Sequence, residues 1–327
     1  MICLAVIYVL LVFSAPTVAR SPELGATSFD QFEFALIGDV PYSKDDLDKF
    51  DRLIREVNAD PRLEWVLHAG DIKSGISICS DGMFIDRLQR FQQFKIPFIL
   101  TPGDNEWVDC HRFLTGSYQP LERLARLRKL FYAEPSKSLG QKTMSVQTQA
   151  DDPQFSEFVE NVRWRKNHVV FATVHIVGSN NGWAQFSTRT EADDHEASRR
   201  TEAALAWIRQ AFEEAKQTNA RGIFILFHAN PGFELAKDSH ARLGFDEIIE
   251  LFEYEAATYS KPILLAHGDS HRFRVDKLLR NHKNQRINHV TRVETFGSSN
   301  VHWVRIAVDP SSDEVFNVQK QIIKKNR

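Results

Sequence analysis

The sequence predicts an α/β protein, because strand-like apolar runs alternate with amphipathic helical segments through the first half of the chain. Strand–helix–strand order implies parallel pairing with right-handed crossovers. After residue 288 the chain shows three strand-like segments and no convincing helical period until its last residues. The chain therefore begins as parallel α/β and ends as a β meander. This order favours two sheets, or one mixed sheet, with helices outside.

Each strand is predicted from a short apolar run. The earlier runs occupy residues 34–37, 65–67, 98–100, 169–177, 223–227 and 263–266. The later ones occupy residues 290–293, 301–308 and 315–318, with a turn at 309–311 before the last of them. Residues 134–160 are polar and are predicted to be rich in loops.

The helices are predicted from apolar side chains at helical spacing. Ser43 is the predicted N-cap of the first helix, and Asp81 is the predicted cap of a second helix with apolar positions between 83 and 94. Further helices are predicted over residues 121–131, 191–216 and 245–254. We interpret residues 28–327 as one domain, because any central boundary would separate the candidate ligands described below.

Composition and the N-terminal segment narrow the class of protein. The chain is 43% hydrophobic and 26% charged, which is ordinary for a globular protein, and its net charge of -2 does not favour nucleic-acid binding. Residues 2–13 form an apolar run, and small residues follow at Thr17 and Ala19. This spacing predicts a signal peptide over residues 1–19 and an exported protein, in the periplasm, a vacuole or the medium. An uncleaved apolar extension is the alternative. No transmembrane segment is predicted in the mature chain.

Removal of the signal peptide would leave two cysteines, Cys79 and Cys110. Each lies shortly beyond a predicted strand, so their loops are expected to be neighbours. An even pair in an exported protein suggests a disulfide, whereas two unpaired thiols are the alternative in a reducing compartment.

Five of the predicted strands are followed by an acid or a histidine. The segments are Gly38-Asp39, Gly70-Asp71, Asp104-Asn105-Glu106, His228 and Asp269-Ser270-His271. Ligands of open α/β sheets bind outside the carboxyl ends of the strands. Hard oxygen and imidazole donors are therefore expected to meet at one rim, which predicts a site for divalent metals.

The order and spacing of these segments resemble the calcineurin-like metallophosphoesterases, a superfamily that includes purple acid phosphatases. Its pattern is D-x-H, then G-D, then G-N-H-[DE], then a lone His, then G-H-x-H. The resemblance covers the chain from about Asp39 to His271. It implies a four-layer α/β/β/α sandwich of two mixed sheets flanked by helices. It also implies two divalent metal ions held by Asp39, Asp71, Asp104, His228, Asp269 and His271.

Four positions depart from the family pattern. Pro41 replaces a histidine ligand, Asp104 replaces the ligand Asn, and Asp269 replaces the first His of the last block. Asn105 replaces the catalytic His. Because these changes enrich the site in carboxylates, we expect manganese or magnesium, with iron or zinc as alternatives. Tyr42 is an alternative to the missing histidine ligand, and His267 is an alternative ligand in the last block.

The resemblance implies hydrolysis of a phosphoester by a hydroxide that bridges the two metals. Asn105 can donate a hydrogen bond to phosphate but cannot protonate a leaving group, so Glu106 and His68 join it as candidate catalytic residues, with His111 as a further local candidate. Candidate substrate-binding residues are Lys73, Arg112, Asn181 and Arg272. The expected partner is a small-molecule or macromolecular phosphoester. The alternative is a catalytically impaired protein that keeps metals for binding or as a scaffold.

Overall fold

The computed structural model describes residues 30–237, 239–281 and 283–327. The predicted signal peptide at residues 1–19 lies outside the described residues. Within the described part of the chain, no helix combines the length and the apolar character needed to span a bilayer.

The first sheet has five strands in the order β12-β11-β1-β2-β3. Strands β1, β2 and β3 run parallel, as strand–helix–strand order predicts, while β11 pairs antiparallel with both β1 and β12. Their bounds are Phe32–Ile37 for β1, Leu63–His68 for β2, Phe98–Leu100 for β3, Trp303–Val308 for β11 and Phe316–Gln321 for β12.

The second sheet has seven strands in the order β4-β5-β6-β7-β8-β10-β9, of which β6, β7, β8 and β10 are parallel. The bounds are Gln147–Thr148 for β4, Val162–Lys166 for β5, Val169–Thr173 for β6, Gly222–Leu226 for β7, Ile263–His267 for β8, Arg274–Asp276 for β9 and Val290–Glu294 for β10. The expected C-terminal meander is therefore divided, because β10 joins this sheet and β11 and β12 join the first.

The described α-helices are α1 Lys44–Ala59, α2 Asp81–Phe91, α3 Pro120–Phe131, α4 Gly178–Asn181, α5 Glu191–Gln217 and α6 Asp246–Thr258. Ser43 caps α1 as predicted, since its side chain accepts from the Asp46 backbone N–H and Asp46 accepts in return. The predicted cap of α2 is wrong by one residue. Ser80 is the N-cap, because its side chain accepts from the Met83 N–H, and Asp81 is the first helical residue.

Three apolar cores separate four layers. Between the sheets lies an aromatic core that includes Phe34, Trp65, Phe171 and Phe224. A second core joins α1, α2 and α3 to the outer face of the first sheet, and a third joins α5 and α6 to the outer face of the second. This is the predicted α/β/β/α sandwich of two mixed sheets. Strands β1, β2, β3, β7 and β8 all end at the same edge, where the candidate site lies.

Candidate metal centre

The turns after the strands place the acids. Asp39, Asp71 and Asp269 have φ values of 56°, 54° and 80°, and His271 has 60°, so all four lie in the left-handed region. Such residues turn the chain in the loops that follow the strands. Gly103 is required beside Asp71, because a Cβ at that position would lie 2.1 Å from Asp71 Oδ1.

The acids and His228 form two overlapping groups of candidate ligands. One group contains Asp39, Asp71 and His228, and the other contains Asp104, His228 and Asp269; within each group the ligand atoms lie within 4.8 Å of one another. Asp39 and Asp269 are 230 positions apart in the chain, yet the Asp269 N–H donates to Asp39 Oδ1 at 2.9 Å. The structure brings these five predicted ligands together.

His228 is oriented as a metal ligand would be. Its Nδ1 lies 2.7 Å from the Ala69 carbonyl oxygen, which holds that nitrogen as the N–H donor. Its Nε2 lies 3.2 Å from Asp104 Oδ1 and 3.3 Å from Asp71 Oδ1. The second nitrogen is thus presented to the carboxylates, in the position where a cation would meet all three side chains.

His271 is held in a similar way, with one ring nitrogen near a backbone carbonyl oxygen and the other facing Asp39. Its Nδ1 lies 2.8 Å from the Ser298 carbonyl oxygen, and its Nε2 lies 3.9 Å from Asp39 Oδ1 and 3.2 Å from the Tyr42 hydroxyl. The Tyr42 hydroxyl in turn donates to Asp71 Oδ2 at 2.8 Å. Tyr42 therefore lies among Asp39, Asp71 and His271, the residues that the resemblance assigns to the first metal.

The buried acids of the centre have altered pKa values that favour the binding of a cation. Burial raises the pKa of Asp39 to about 8 and the pKa of Asp71 well above its usual range, and the pKa of Asp269 is also raised by burial. Burial lowers the pKa of His228, but Asp71 and Asp104 outweigh it and raise that pKa well above its ordinary value. Without a cation, the buried carboxyl groups of Asp39, Asp71 and Asp269 therefore tend to hold protons. A divalent ion would displace those protons and stabilise the carboxylates, so these residues fit such ions.

Glu106 lies behind the ligands and holds the backbone that carries them. Its Oε1 accepts from the Gly103 N–H at 2.6 Å and from the Asp71 N–H at 3.2 Å. Its Oε2 is buried and has no hydrogen-bond partner among the described residues. Burial raises the pKa of this carboxyl. Glu106 is thus linked by a hydrogen bond to the main chain of Asp71, one of the candidate ligands.

The Asn105 backbone is fixed by Lys73 and by a disulfide. Lys73 is fully buried, and its Nζ donates to the carbonyl oxygens of Asn105 at 2.8 Å and of Ser74 at 2.7 Å. Burial lowers the pKa of Lys73 to about 8. Cys79 and Cys110 are joined, with Cα atoms 5.8 Å apart, and their sulfurs lie 3.7 Å and 3.6 Å from the same Asn105 oxygen. The disulfide that the sequence left open is therefore present, directly behind Asn105.

Two predicted site residues are held by groups outside the ligand cluster. His68 is buried between the Val40 carbonyl oxygen, 2.9 Å from Nε2, and the Gly70 N–H, which donates to Nδ1 at 3.1 Å. Burial lowers the pKa of His68 to about 3. Asn181 is buried as well, and its Oδ1 accepts from Arg200 at 2.5 Å while its amide donates to Thr201. Both side chains therefore form their hydrogen bonds with residues other than the candidate metal ligands.

The two predicted arginines lie at the surface beside the centre. Arg112 is 44% exposed in its side chain, pairs with Asp109 at 2.7 Å and donates to the Gly75 carbonyl oxygen at 3.3 Å. Arg272 is exposed and follows His271 directly. The catalytic and substrate-binding roles of all these residues stay predictions.

Ser179 is a site neighbour that the sequence reasoning missed. Its Oγ lies 2.7 Å from Asp104 Oδ2 and 3.0 Å from Asp109 Oδ1. Burial raises the pKa of Asp109 to about 7. The sequence feature that could have identified it is the segment Gly178-Ser179-Asn180-Asn181-Gly182, of which only the asparagines were considered as site residues. In the structure Asn180 instead accepts from the Gly244 N–H at 2.9 Å.

Comparisons with known proteins identify the family of the chain. The family model described as calcineurin-like phosphoesterase matches residues 32–273, which is most of the chain. Among solved structures, GAP50, described as the anchor in the inner membrane complex of Plasmodium, is similar with a TM-score of 0.47 and 11% identity over 90% of this chain and 89% of its own. TT1561 of Thermus thermophilus is similar with a TM-score of 0.48 and 11% identity, over 89% of this chain and 99% of its own. No curated protein matches. The extent of the family match shows that the chain belongs to the calcineurin-like phosphoesterase family.

Proposed function

We propose that this protein is a metal-dependent phosphoesterase that hydrolyses a phosphoester at a two-metal site. The observation that carries the proposal is the convergence of Asp39, Asp71, Asp104, His228 and Asp269 within the region matched by the family. When bound, two divalent ions would supply an activated water and would neutralise the charge of the phosphoryl group.

The ligands divide into two sets that share Asp71. Asp39, Asp71 and His271 would hold the first ion, with the Tyr42 hydroxyl in place of the histidine that Pro41 replaces. Asp71, Asp104, His228 and Asp269 would hold the second ion. Both sets are rich in carboxylate oxygens, which favours manganese or magnesium over softer metals.

Asn105 is the residue we assign to hold a phosphoryl oxygen. Its side-chain amide lies 3.2 Å from the Tyr42 hydroxyl and also donates to Asp71, so it faces the centre. An amide donates a hydrogen bond but supplies no proton to a leaving group. The proton for the departing alcohol would therefore come from water or from another group at the centre. Arg112, which contacts the loop beside Asn105, is placed to attract the phosphate from the surface.

A second candidate function follows from the same residue. Because Asn105 stands where the family pattern has its catalytic His, the protein would bind metals and phosphate with little turnover. The retained oxygen donors at Asp104 and Asp269 support metal binding in either case. Turnover alone separates a phosphoesterase from a metal-binding scaffold.

The test is a hydrolysis assay with metal-reconstituted protein on p-nitrophenyl phosphate and on its bis-ester. We expect the wild type to hydrolyse at least one of them and Asp71→Asn to be slower by roughly a hundredfold or more. Asp48→Asn, an exposed carboxylate on α1, is the matched control and should keep wild-type activity. Equal residual rates in the wild type and Asp71→Asn would favour the scaffold.

We propose in addition that the protein is exported. The disulfide between Cys79 and Cys110 supports an oxidising compartment. N-terminal sequencing of protein recovered from its native source tests this, and we expect the mature chain to begin shortly after residue 19. A chain that still begins at Met1 in a reducing compartment would contradict the proposal.

A further inference from the structure

Two loops beside the metal centre carry exposed apolar side chains. Ile76 is 69% exposed and Ile78 57%, while Phe113 is 88% and Leu114 62% exposed. We call these four side chains the apolar lip. Isolated exposed apolar residues are ordinary, but four of them on two linked loops beside a site form a candidate binding surface.

The structure joins the two loops into one unit. The disulfide links Cys79 to Cys110, and the Cys79 N–H donates to the Thr115 carbonyl oxygen at 2.9 Å. A Cβ placed on Gly116 would lie 3.5 Å from the Ile78 side chain, so the tips of the loops are neighbours. The apolar lip therefore keeps its shape without burying its own side chains.

The lip is continuous with the metal centre. A Cβ placed on Gly75 would lie 2.7 Å from Asn105 Oδ1 and 3.0 Å from Arg112 Nη1. Ile76 follows Gly75, so this half of the lip begins beside Asn105. Phe113 follows Arg112, whose guanidinium reaches the Gly75 carbonyl oxygen. A molecule seated on the lip would thus meet the Arg112 guanidinium and then the centre.

The lip segments contain no charged residue, although 26% of the chain is charged. Residues 74–80 and 113–119 carry only apolar and neutral polar side chains, and Arg112 stands at their inner border. At the other border Asp81 is paired with Arg123 and Arg126, so Arg112 is the cation on the side of the centre. An uncharged surface with this cation beside the site complements a molecule that has an apolar body and one anionic group. Charged groups are costly in an apolar medium, so their absence here favours contact with such a medium.

We propose that the apolar lip inserts into a membrane surface and that the substrate is a phosphoester of a membrane lipid; this rests on the proposed phosphoesterase function. The two lip segments together hold 14 residues, fewer than the roughly 20–30 residues a side of a stable protein interface. Insertion among acyl chains needs no matching surface. In the reaction, water adds to phosphorus, the bond from phosphorus to the lipid oxygen breaks, and a proton from water goes to that oxygen, which gives a lipid alcohol and inorganic phosphate.

The experiment compares the mature wild type, beginning after residue 19, with Phe113→Ser/Leu114→Ser and with Tyr254→Ser, a matched control at a 66% exposed aromatic on α6. Partition onto phosphatidylcholine vesicles, with and without phosphatidic acid, is measured by sedimentation. Hydrolysis of phosphatidic acid in vesicles and of soluble p-nitrophenyl phosphate is measured in parallel. We expect the lip variant to lose roughly tenfold in partition and in the ratio of vesicle to soluble activity, and the control to keep both.

Equal vesicle partition of the wild type and the lip variant would overturn the proposal, even if p-nitrophenyl phosphate is hydrolysed. Vesicle partition that depends on the lip, without hydrolysis of phosphatidic acid, p-nitrophenyl phosphate or its bis-ester, would instead refute the phosphoesterase function and leave membrane binding supported. Sedimentation velocity tests the remaining alternative, in which a second copy of the chain covers the lip. A wild type that dimerises through the lip and does not partition onto vesicles would also overturn the proposal.

Discussion

The hydroxyl of Tyr42 lies 2.8 Å from Asp71 Oδ2 and forms the bridge between that carboxylate and the His271 imidazole, 3.2 Å away on the other side. Tyr42 comes directly after Pro41, at the block where the family pattern has a histidine ligand. The chain thus has an oxygen donor beside the residues that we assign to the first ion, although the histidine is absent.

Tyr42→Phe is predicted to weaken one of the two metal sites. Removal of the hydroxyl takes away one oxygen donor, while Asp71 and His228 stay in place. We expect the affinity for one Mn²⁺ ion to fall roughly 10–100-fold and the other ion to bind as in the wild type, by isothermal titration calorimetry. Tyr254→Phe on α6 is the control. Two ions bound with unchanged affinity by Tyr42→Phe would show that the hydroxyl is not a ligand.

Glu106→Gln is predicted to lower metal affinity without contact with a metal. Its carboxylate accepts from the backbone N–H groups of Gly103 and Asp71, and an amide at this position would leave a buried NH₂ group without a partner. We expect Mn²⁺ affinity to fall about tenfold and the free energy of unfolding to fall by about 1–3 kcal/mol. Titration calorimetry and urea unfolding measure the two effects, with the exposed Glu247→Gln as control. Wild-type metal affinity in Glu106→Gln would refute this positioning role.

The buried pair of Glu160 and Arg128 predicts acid sensitivity. Glu160 is fully buried and accepts from Arg128 at 2.6 Å and from His175 Nδ1 at 2.7 Å. Burial raises its pKa, but Arg128 and His175 outweigh that and lower it to about 2 from 4.5. Since the folded state binds this proton less readily than the unfolded state, the contribution to stability is complete above pH 4.5 and is lost as pH falls toward 2.

Glu160→Gln is accordingly predicted to be less stable than the wild type by roughly 3 kcal/mol at neutral pH. Its free energy of unfolding should also change less than that of the wild type between about pH 5 and pH 3. Urea unfolding at several pH values measures both quantities. Glu157→Gln, an exposed neighbour that pairs with Arg199, is the control. The same pH dependence in Glu160→Gln and the wild type would contradict the assignment.

Loss of the disulfide is predicted to destabilise the protein by about 4 kcal/mol, from the loop-closure entropy of the residues it encloses. Cys79 and Cys110 are separated by 31 positions. Urea unfolding of Cys79→Ser/Cys110→Ser should show this loss, and a reducing agent should lower the stability of the wild type but not of the variant. A wild type that is indifferent to the reducing agent would argue against the bond.

Much of the fold was predictable because its central strands are buried on both faces. Such strands are continuous apolar runs, as at Phe34 and Ile223, and the acid or histidine that follows the run marks the sheet edge. Strand β5 was missed because it carries Arg163, Arg165 and Lys166, so no apolar run identifies it. Strands β4 and β9 have two and three residues, which is too short for a periodic pattern.

The site was predictable in its ligands and less so in their surroundings. Asp39 and Asp71 follow apolar runs, so their position at the rim follows from the sheet. The positions of Glu106 behind Asp71, of Lys73 beneath the Asn105 carbonyl oxygen and of Ser179 against Asp104 depend on how loops from different strands pack. Contacts of that kind join residues far apart in the chain, and no local pattern in a single sequence encodes them.

The most direct test of the two-metal centre is anomalous diffraction from crystals of the full-length protein grown with Mn²⁺. We predict two anomalous peaks about 3.5–4 Å apart, both within coordinating distance of Asp71 and one of them beside His228 Nε2. The absence of any peak near His228, with manganese present in the crystallisation solution, would contradict the account.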